Sequence, residues 1–306
     1  MKQIKLLFLL ASASVTGAFA QSNGLTDMSQ SRYAKMANTG IDAVHWTNGF
    51  WGERFNVFSG TSLQSMWNTW NTPEVSHGFR NFEIAAGVCK GEHWGPPFHD
   101  GDMYKWMEGV ASVYAVNKDP ELDKLMDNFI ACVVKAQRAD GYIHTPVVIE
   151  ELNKGIDSHT LADSQQQTVI GTKVGSEDEK GAFANRLNFE TYNLGHLMMA
   201  GIVHHRATGK TTLLDAAVKA TDFLCHFYET ASAELARNAI CPSHYMGVVE
   251  MYRATGNPRY LELSKNLIDI RGMVESGTDD NQDRIPFRDQ YRAMGHAVRA
   301  NYLYAG

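Results

Sequence analysis

From Glu190 to Gly209 the chain opens polar, turns apolar through its middle and stops at a glycine. Leu194, Leu197, Met198, Gly201 and Ile202 recur at helical spacing, which predicts a packed helix closed by Gly209 in the left-handed conformation. Its first two turns carry Glu190, Tyr192, Asn193 and His196, polar groups placed where a bundle helix meets a pocket instead of its neighbours' core. The turn that ends it, Arg206-Ala207-Thr208-Gly209, returns 47 residues later as Arg253-Ala254-Thr255-Gly256. A fixed spacing of that size fits one helical hairpin and marks a repeat architecture.

The same plan recurs elsewhere. Tyr104 to Val116 and Glu121 to Gln137 form one predicted pair, the second with Leu122, Leu125, Met126, Phe129, Ile130 and Val133 inward. Pro120 suits the start of that return helix, where its missing amide hydrogen would be unpaired anyway. Thr211 to Tyr228 returns from the helix that opens at Glu190, and Pro258 to Arg271 returns from His244 to Ala254. Shorter helices are predicted from about Gly52 and over Ser62 to Trp70. A further unit opens at Tyr291, and the chain reaches Gly306 without a return helix. The pattern predicts an all-α fold, an (α/α)6 toroid of helical hairpins incomplete at its C-terminus; an open helical solenoid is the competing arrangement. In a toroid the N-terminal ends of the inner helices surround one funnel, and Asp102, Glu190 with His196, and His296 all fall at or near such ends. Asp100 or Asp102 is expected to cap the helix that follows it, because a carboxylate accepts the free amide hydrogens of a first turn. His144 projects from a loop at the end of a helix.

The segments outside this pattern are informative too. Met1 to Ala20 combines Lys2 and Lys5 with the apolar run Leu6 to Leu10 and ends in Ala18-Phe19-Ala20, the features of a secretory signal peptide. That reading makes 1–20 a cleaved leader, 21–306 the mature domain, and the destination periplasmic or extracellular. The apolar run is shorter than the roughly 20 residues that span a bilayer, and no later stretch is apolar enough to do so. Residues 150–180 are polar and without period, and are expected to form a surface insertion.

Composition narrows the function without choosing it. The net charge of −6, with acids and bases interspersed and no basic stripe, disfavours nucleic acid as a partner. Six Trp and twelve Tyr suit stacking on sugars and a large helical core equally well. Cys89, Cys132, Cys225 and Cys241 form no Cys-x-x-Cys pair and have no histidine at metal-ligand spacing, so they read as structural thiols.

Several motifs carry a family resemblance. They are Asn81-Phe82 with Ala85-Ala86-Gly87, Asp100-x-Asp102-x-Tyr104-Lys105-Trp106, Gln137-x-x-Asp140-Gly141-Tyr142, and Glu190-x-Tyr192 with Gly195-His196. The two Arg-Ala-Thr-Gly turns follow, then Gly295-His296-Ala297-Val298-Arg299 with Tyr302-Leu303-Tyr304-Ala305-Gly306. In this order they resemble the β-L-arabinofuranosidases of glycoside hydrolase family 127 and its relative family 146. The resemblance implies an (α/α)6 toroid and a retaining exo-glycosidase that removes terminal L-arabinofuranose from plant glycans. It implies zinc held by one glutamate and three cysteines, a zinc-bound cysteine as nucleophile and a glutamate as acid/base. In the family all of these follow the Gly-His-Ala-Val-Arg segment, so no catalytic or metal-ligating residue is assigned in this chain. Sugar-binding positions do carry over: His144, His196 and His296 match the family's substrate-contacting histidines, and Gln64 matches a contacting glutamine. Asp102 and Glu190 join them as candidates, with capping or scaffolding as their other reading. His204 and His205 match no motif and read as packing and surface. Two further readings stay open: a carbohydrate-binding remnant without catalysis, and another (α/α)6 enzyme such as an unsaturated glucuronyl hydrolase or a lyase.

Overall fold

Short capping signals decide where the helices begin and end. The computed structural model describes residues 24–29, 31–156, 182–183 and 185–306. The expected leader and most of the expected insertion lie outside the described residues. Helix α1 (Gly49–Val57) runs through a π-helical turn at Phe58–Ser62 into α2 (Leu63–Trp70), and α3 (Gly78–Ala85) follows. Next come α4 (His99–Asn117), α5 (Pro120–Ala136) and α6 (Thr145–Asn153). The C-terminal half holds α7 (Glu190–Thr208), α8 (Thr212–Thr230), the single turn α9 (Ala233–Ala236), α10 (Ser243–Thr255), α11 (Pro258–Ile270) and α12 (Ala297–Ala305). Among the described residues there is no β-strand.

The repeat turns close as expected, with Gly209 at φ 77° after α7 and Gly256 at φ 70° after α10. The return helices start on matching devices. Asp119 accepts from the Glu121 amide at 2.9 Å ahead of Pro120, and Asn257 accepts from the Arg259 amide at 3.1 Å ahead of Pro258.

Three hairpins result: α4 with α5, α7 with α8, and α10 with α11. Their first helices lie side by side, α4 against α7 and α7 against α10, and α12 extends that inner row beyond α10. Their returns form the outer row, α5 against α8 and α8 against α11. This is the layering of an arc of an (α/α) toroid. The inner helices run parallel, because their N-terminal ends are bonded to one another. The Gly101 amide donates to Asn193 Oδ1 at 2.9 Å, and Ser243 Oγ donates to the Tyr192 carbonyl at 2.7 Å.

Helix α7 is the centre of the fold, buried at every residue from Glu190 to His204. Enclosure on all sides explains why its polar residues need partners in the protein. Such close approach depends on missing side chains. A β-carbon on Gly195 would lie 2.4 Å from the His244 amide nitrogen, and one on Gly247 would lie 2.9 Å from the Gly195 carbonyl oxygen. On the flank, Phe82 meets Phe129 at 5.0 Å and Tyr104 at 5.6 Å, and Trp67 stacks on Trp106 at 5.1 Å, joining α2, α3, α4 and α5.

Three expectations change. Helix α4 begins at His99, five residues ahead of the predicted Tyr104, so both aspartates lie inside its first turn instead of capping it. Asp100 instead caps α6 from a distance, accepting from the Thr145 amide at 2.7 Å and the Thr145 hydroxyl at 2.6 Å. The unit expected from Tyr291 is helical only over Ala297–Ala305. The span before it is a loop held by buried polar groups: Arg271 donates to the Asn281 carbonyl, and Asn281 Nδ2 donates to Asp283 at 2.7 Å. The polar segment taken to begin at Glu150 starts within α6.

Gly195→Ala is expected to destabilise the fold by about 1–3 kcal/mol through overpacking of α7 on α10. Chemical denaturation measures it, and a variant with the parent's midpoint contradicts the close-packing account.

Candidate functional site

Polar side chains collect where the N-terminal ends of α4 and α7 meet, in two clusters separated by one turn of α7. Helical spacing puts Asp102, Lys105 and Glu108 on one face of α4. Lys105 Nζ pairs with Asp102 Oδ1 at 2.9 Å and donates to the Tyr192 hydroxyl at 2.7 Å. His196, one turn further along α7, stands edge-on to Tyr192 at 4.6 Å and to Tyr302 of α12 at 5.2 Å. Its Nδ1 is 3.8 Å from Glu108 Oε1. Neither ring nitrogen of His196 has a hydrogen-bond partner, although the residue is 2% exposed. Burial, with the Lys105 charge adding to it, pushes the His196 pKa down to about 3, so the ring is neutral at any ordinary pH. Burial pushes Glu108 the other way, up to about 8, against the pull of Lys105.

The second cluster is built around Asn193. Its Oδ1 accepts from the Gly101 amide, and its Nδ2 donates to the Pro97 carbonyl at 2.9 Å. Those two backbone partners fix the orientation of the amide. The other Nδ2 hydrogen therefore faces His144 Nδ1, 3.2 Å away. When that ring carries a single hydrogen, it sits on Nε2. Asp100 Oδ2 lies 3.6 Å from His144 Nδ1. Burial would raise the Asp100 carboxyl, but His144, when its ring is charged, and the two Thr145 donors outweigh it and hold the pKa below the usual value. Glu190 is fully engaged, accepting from the Tyr142 hydroxyl at 2.5 Å and the Phe183 amide at 2.7 Å. Its pKa is raised by burial, which His144 and these donors only partly offset.

The candidate residues thus separate. His196 and Asp102 share the first cluster, bridged through Lys105 and Tyr192. His144 and Glu190 belong to the second, both buried, and both oxygens of Glu190 are occupied by protein donors. Gln64 and His296 are exposed and join neither. Gln64 donates to Asn68 Oδ1 at 2.8 Å along α2, and His296 caps α12 with its backbone amide on the Asp280 carbonyl at 3.1 Å. His204 is buried and His205 bonds the Lys210 carbonyl at 3.1 Å, both away from the clusters. Sequence reasoning passed over Glu108 and Tyr302. The three-residue rhythm Asp102, Lys105, Glu108 was available to find the first. Tyr302 reaches His196 from a helix over a hundred positions away, and no local pattern announces that.

Comparison with known proteins places this arrangement. The profile for the β-L-arabinofuranosidase GH127 catalytic domain matches residues 43–306. The chain belongs to glycoside hydrolase family 127. This family-127 chain is 31% identical over 252 residues to the non-reducing end β-L-arabinofuranosidase of Bifidobacterium longum subsp. longum, covering 76% of this chain and 35% of that one. A solved structure described as a glycoside hydrolase is 76% identical with a TM-score of 0.66, covering 92% of this chain and 35% of that one. The GH127 β-L-arabinofuranosidase from Geobacillus stearothermophilus T6 is 30% identical with a TM-score of 0.68, covering 85% and 41%. The chain therefore spans about a third of the length of the curated relative it matches. Family and fold together favour the toroid over the open solenoid.

Family 127 implies zinc, and the described residues do not fit it. They include no group of three or more His, Cys, Asp or Glu side chains placed to hold a metal ion. All four cysteines are free, and burial raises every thiol pKa, for Cys225 to about 11. Cys241 Sγ accepts instead from Arg299 Nε at 3.1 Å.

Two outcomes follow from this geometry. Nitrogen NMR of the His144 ring is expected to show Nδ1 without a hydrogen in the parent, and Asn193→Asp to move the hydrogen onto Nδ1; a protonated Nδ1 in the parent contradicts the Asn193 assignment. Glu108 binds its proton more tightly folded than unfolded, so its contribution to stability falls as pH rises from about 5 to about 8 and levels off above. Glu108→Gln should therefore gain melting temperature relative to the parent across that window, and a constant difference between the two contradicts the raised pKa.

Proposed function

We propose that this chain forms the sugar-recognising part of a retaining β-L-arabinofuranosidase, with terminal L-arabinofuranosyl groups of plant glycans as its substrate. The observation that carries the reading is His196, a buried neutral ring with two unpartnered nitrogens at the converging helix ends of a family-127 fold. A neutral imidazole nitrogen donates to a sugar hydroxyl in one tautomer and accepts from it in the other. Lys105 adds donors, and Tyr192 and Tyr302 supply rings for the sugar's apolar edges. His144, held by Asn193, would present Nε2–H from the second cluster. Asp102 acts through Lys105, and Glu190 acts as scaffold beneath His144. Gln64 and His296 would reach the sugar only from the rim.

The zinc implied by the family would supply an ionised thiol nucleophile. This chain's described residues contribute binding and orientation, and neither the nucleophile nor the acid/base. A non-catalytic carbohydrate-binding role for these 306 residues is the second reading, favoured by the misfit of the described cysteines to zinc. Export to the periplasm or beyond completes the proposal, supported by the lysines and apolar run of residues 1–20. Among the described residues no helix is long and apolar enough to cross a membrane.

Calorimetry of the 306-residue chain with methyl β-L-arabinofuranoside is expected to show binding at about 1 mM, weakened about ten-fold or more by His196→Ala. No binding, or equal binding by the variant, counts against the site. With zinc added, the same polypeptide is expected to leave an aryl β-L-arabinofuranoside intact; turnover abolished by a chelator would show that it carries the chemistry after all.

A further inference from the structure

Glu108 is the one ionisable group of the first cluster that the proposed recognition leaves without a task. It follows Asp102 and Lys105 on the inner face of α4, and its Oε1 is buried with no hydrogen-bond partner. His196 Nδ1 stands 3.8 Å from it, about 1 Å longer than a made O–H···N bond. His196 in turn has no other partner for either nitrogen. The buried Oε1 of a partly exposed Glu108 therefore faces the unpartnered Nδ1 of a buried ring, and a small side-chain rotation joins them.

We propose that Glu108 is a positioning residue for His196: its carboxylic acid donates to Nδ1, so that the ring carries its own hydrogen on Nε2 and offers that hydrogen to a sugar hydroxyl oxygen. The use of the hydrogen for sugar rests on the arabinofuranose reading of the pocket; the coupling of the two side chains does not. When the pair loses one proton, the negative charge settles on the Glu108 carboxylate, Nδ1 takes the hydrogen between the two groups, and Nε2 turns from donor to acceptor. The tautomer of His196 is therefore set by the protonation of Glu108.

The surroundings make this titration simple. On α4 itself Lys105 and Asp102 lie nearby, and Lys105 is the charge that bears on Glu108, lowering its pKa against burial. From α7 the facing titratable groups are His196 and Tyr192, and from α12 Tyr302, whose hydroxyl is raised to about 12 by burial and the neighbouring Tyr192. Helix α2, packed on α4 from the other side, holds no ionisable side chain. His196 itself stays uncharged throughout, so the change near pH 8 belongs to the carboxyl.

The test joins nitrogen NMR of the His196 ring with calorimetry using methyl β-L-arabinofuranoside, on the full chain, Glu108→Gln and Glu108→Leu. In the parent the hydrogen is expected on Nε2 at pH 6.5 and to shift to Nδ1 through about pH 8, with affinity falling about three- to ten-fold. Glu108→Gln keeps an amide donor, so its ring should stay Nε2–H and its affinity should be flat across that range. Glu108→Leu is expected to lose the preference for Nε2–H and to bind three- to ten-fold more weakly at pH 6.5, again the loss of about one hydrogen bond. Ring nitrogens indifferent to pH and to both variants overturn the proposal. A ring that responds as described in a chain that binds no sugar upholds the coupling and defeats the arabinofuranose reading alone.

Discussion

The structure depends on enclosing a helix that is polar at one end. Helix α7 is surrounded by α4, α8 and α10, and every group on its first two turns must find a partner inside the protein or remain unsatisfied. Asn193 resolves part of that demand by bonding the start of α4, the loop at Pro97 and the ring of His144 at once. Tyr192 resolves more through Lys105 and through the Ser243 hydroxyl on its carbonyl. These bonds draw the helix starts into register, and glycines at 195 and 247 let the backbones come close enough to make them. His196 is left unsatisfied within that tight frame. An unpaired buried ring is costly, and here the cost sits beside the only carboxyl of the cluster whose pKa burial has raised.

Partly exposed and sealed groups divide the two clusters. Asp102 and Lys105 are partly exposed and form an ordinary ion pair, worth little to stability on its own. His144, Glu190 and Asp100 are sealed, and each is tied to a second part of the chain. His196 is itself sealed, at 2% exposed, but both of its ring nitrogens lack a hydrogen-bond partner, whereas Asp100 and Glu190 are fully engaged by protein donors.

Much of the fold was legible in the sequence. The paired Arg-Ala-Thr-Gly turns, the Asp-Pro and Asn-Pro starts and the apolar rhythm of α5 are local signals, and the structure follows them to within a residue or two. What was not legible is long-range. Asp100 looked like a cap for its own helix because capping is usually local, yet it caps α6 from 45 positions away. The loop after Arg271 has little apolar rhythm because it is held by buried polar bonds, which leave no periodic trace. In the site, His196 and Asp102 stand together, whereas Gln64, on an exposed face of α2, and His296, exposed just ahead of α12, lie apart from them. Motif matching places a residue in sequence and says nothing of its exposure. Glu108 went unnoticed because a lone glutamate on a helix usually faces water, whereas here its Oε1 is out of solvent beside His196 of α7.

A crystal structure of this chain soaked with methyl β-L-arabinofuranoside addresses the central claim most directly. The account predicts one furanose ring at the start of α7, with a hydroxyl oxygen within hydrogen-bond distance of His196 Nε2 and a second near Lys105 Nζ. A sugar bound instead on the exposed aromatic residues Trp46, Phe50 and Trp51, with the His196 ring still unpartnered, would contradict it.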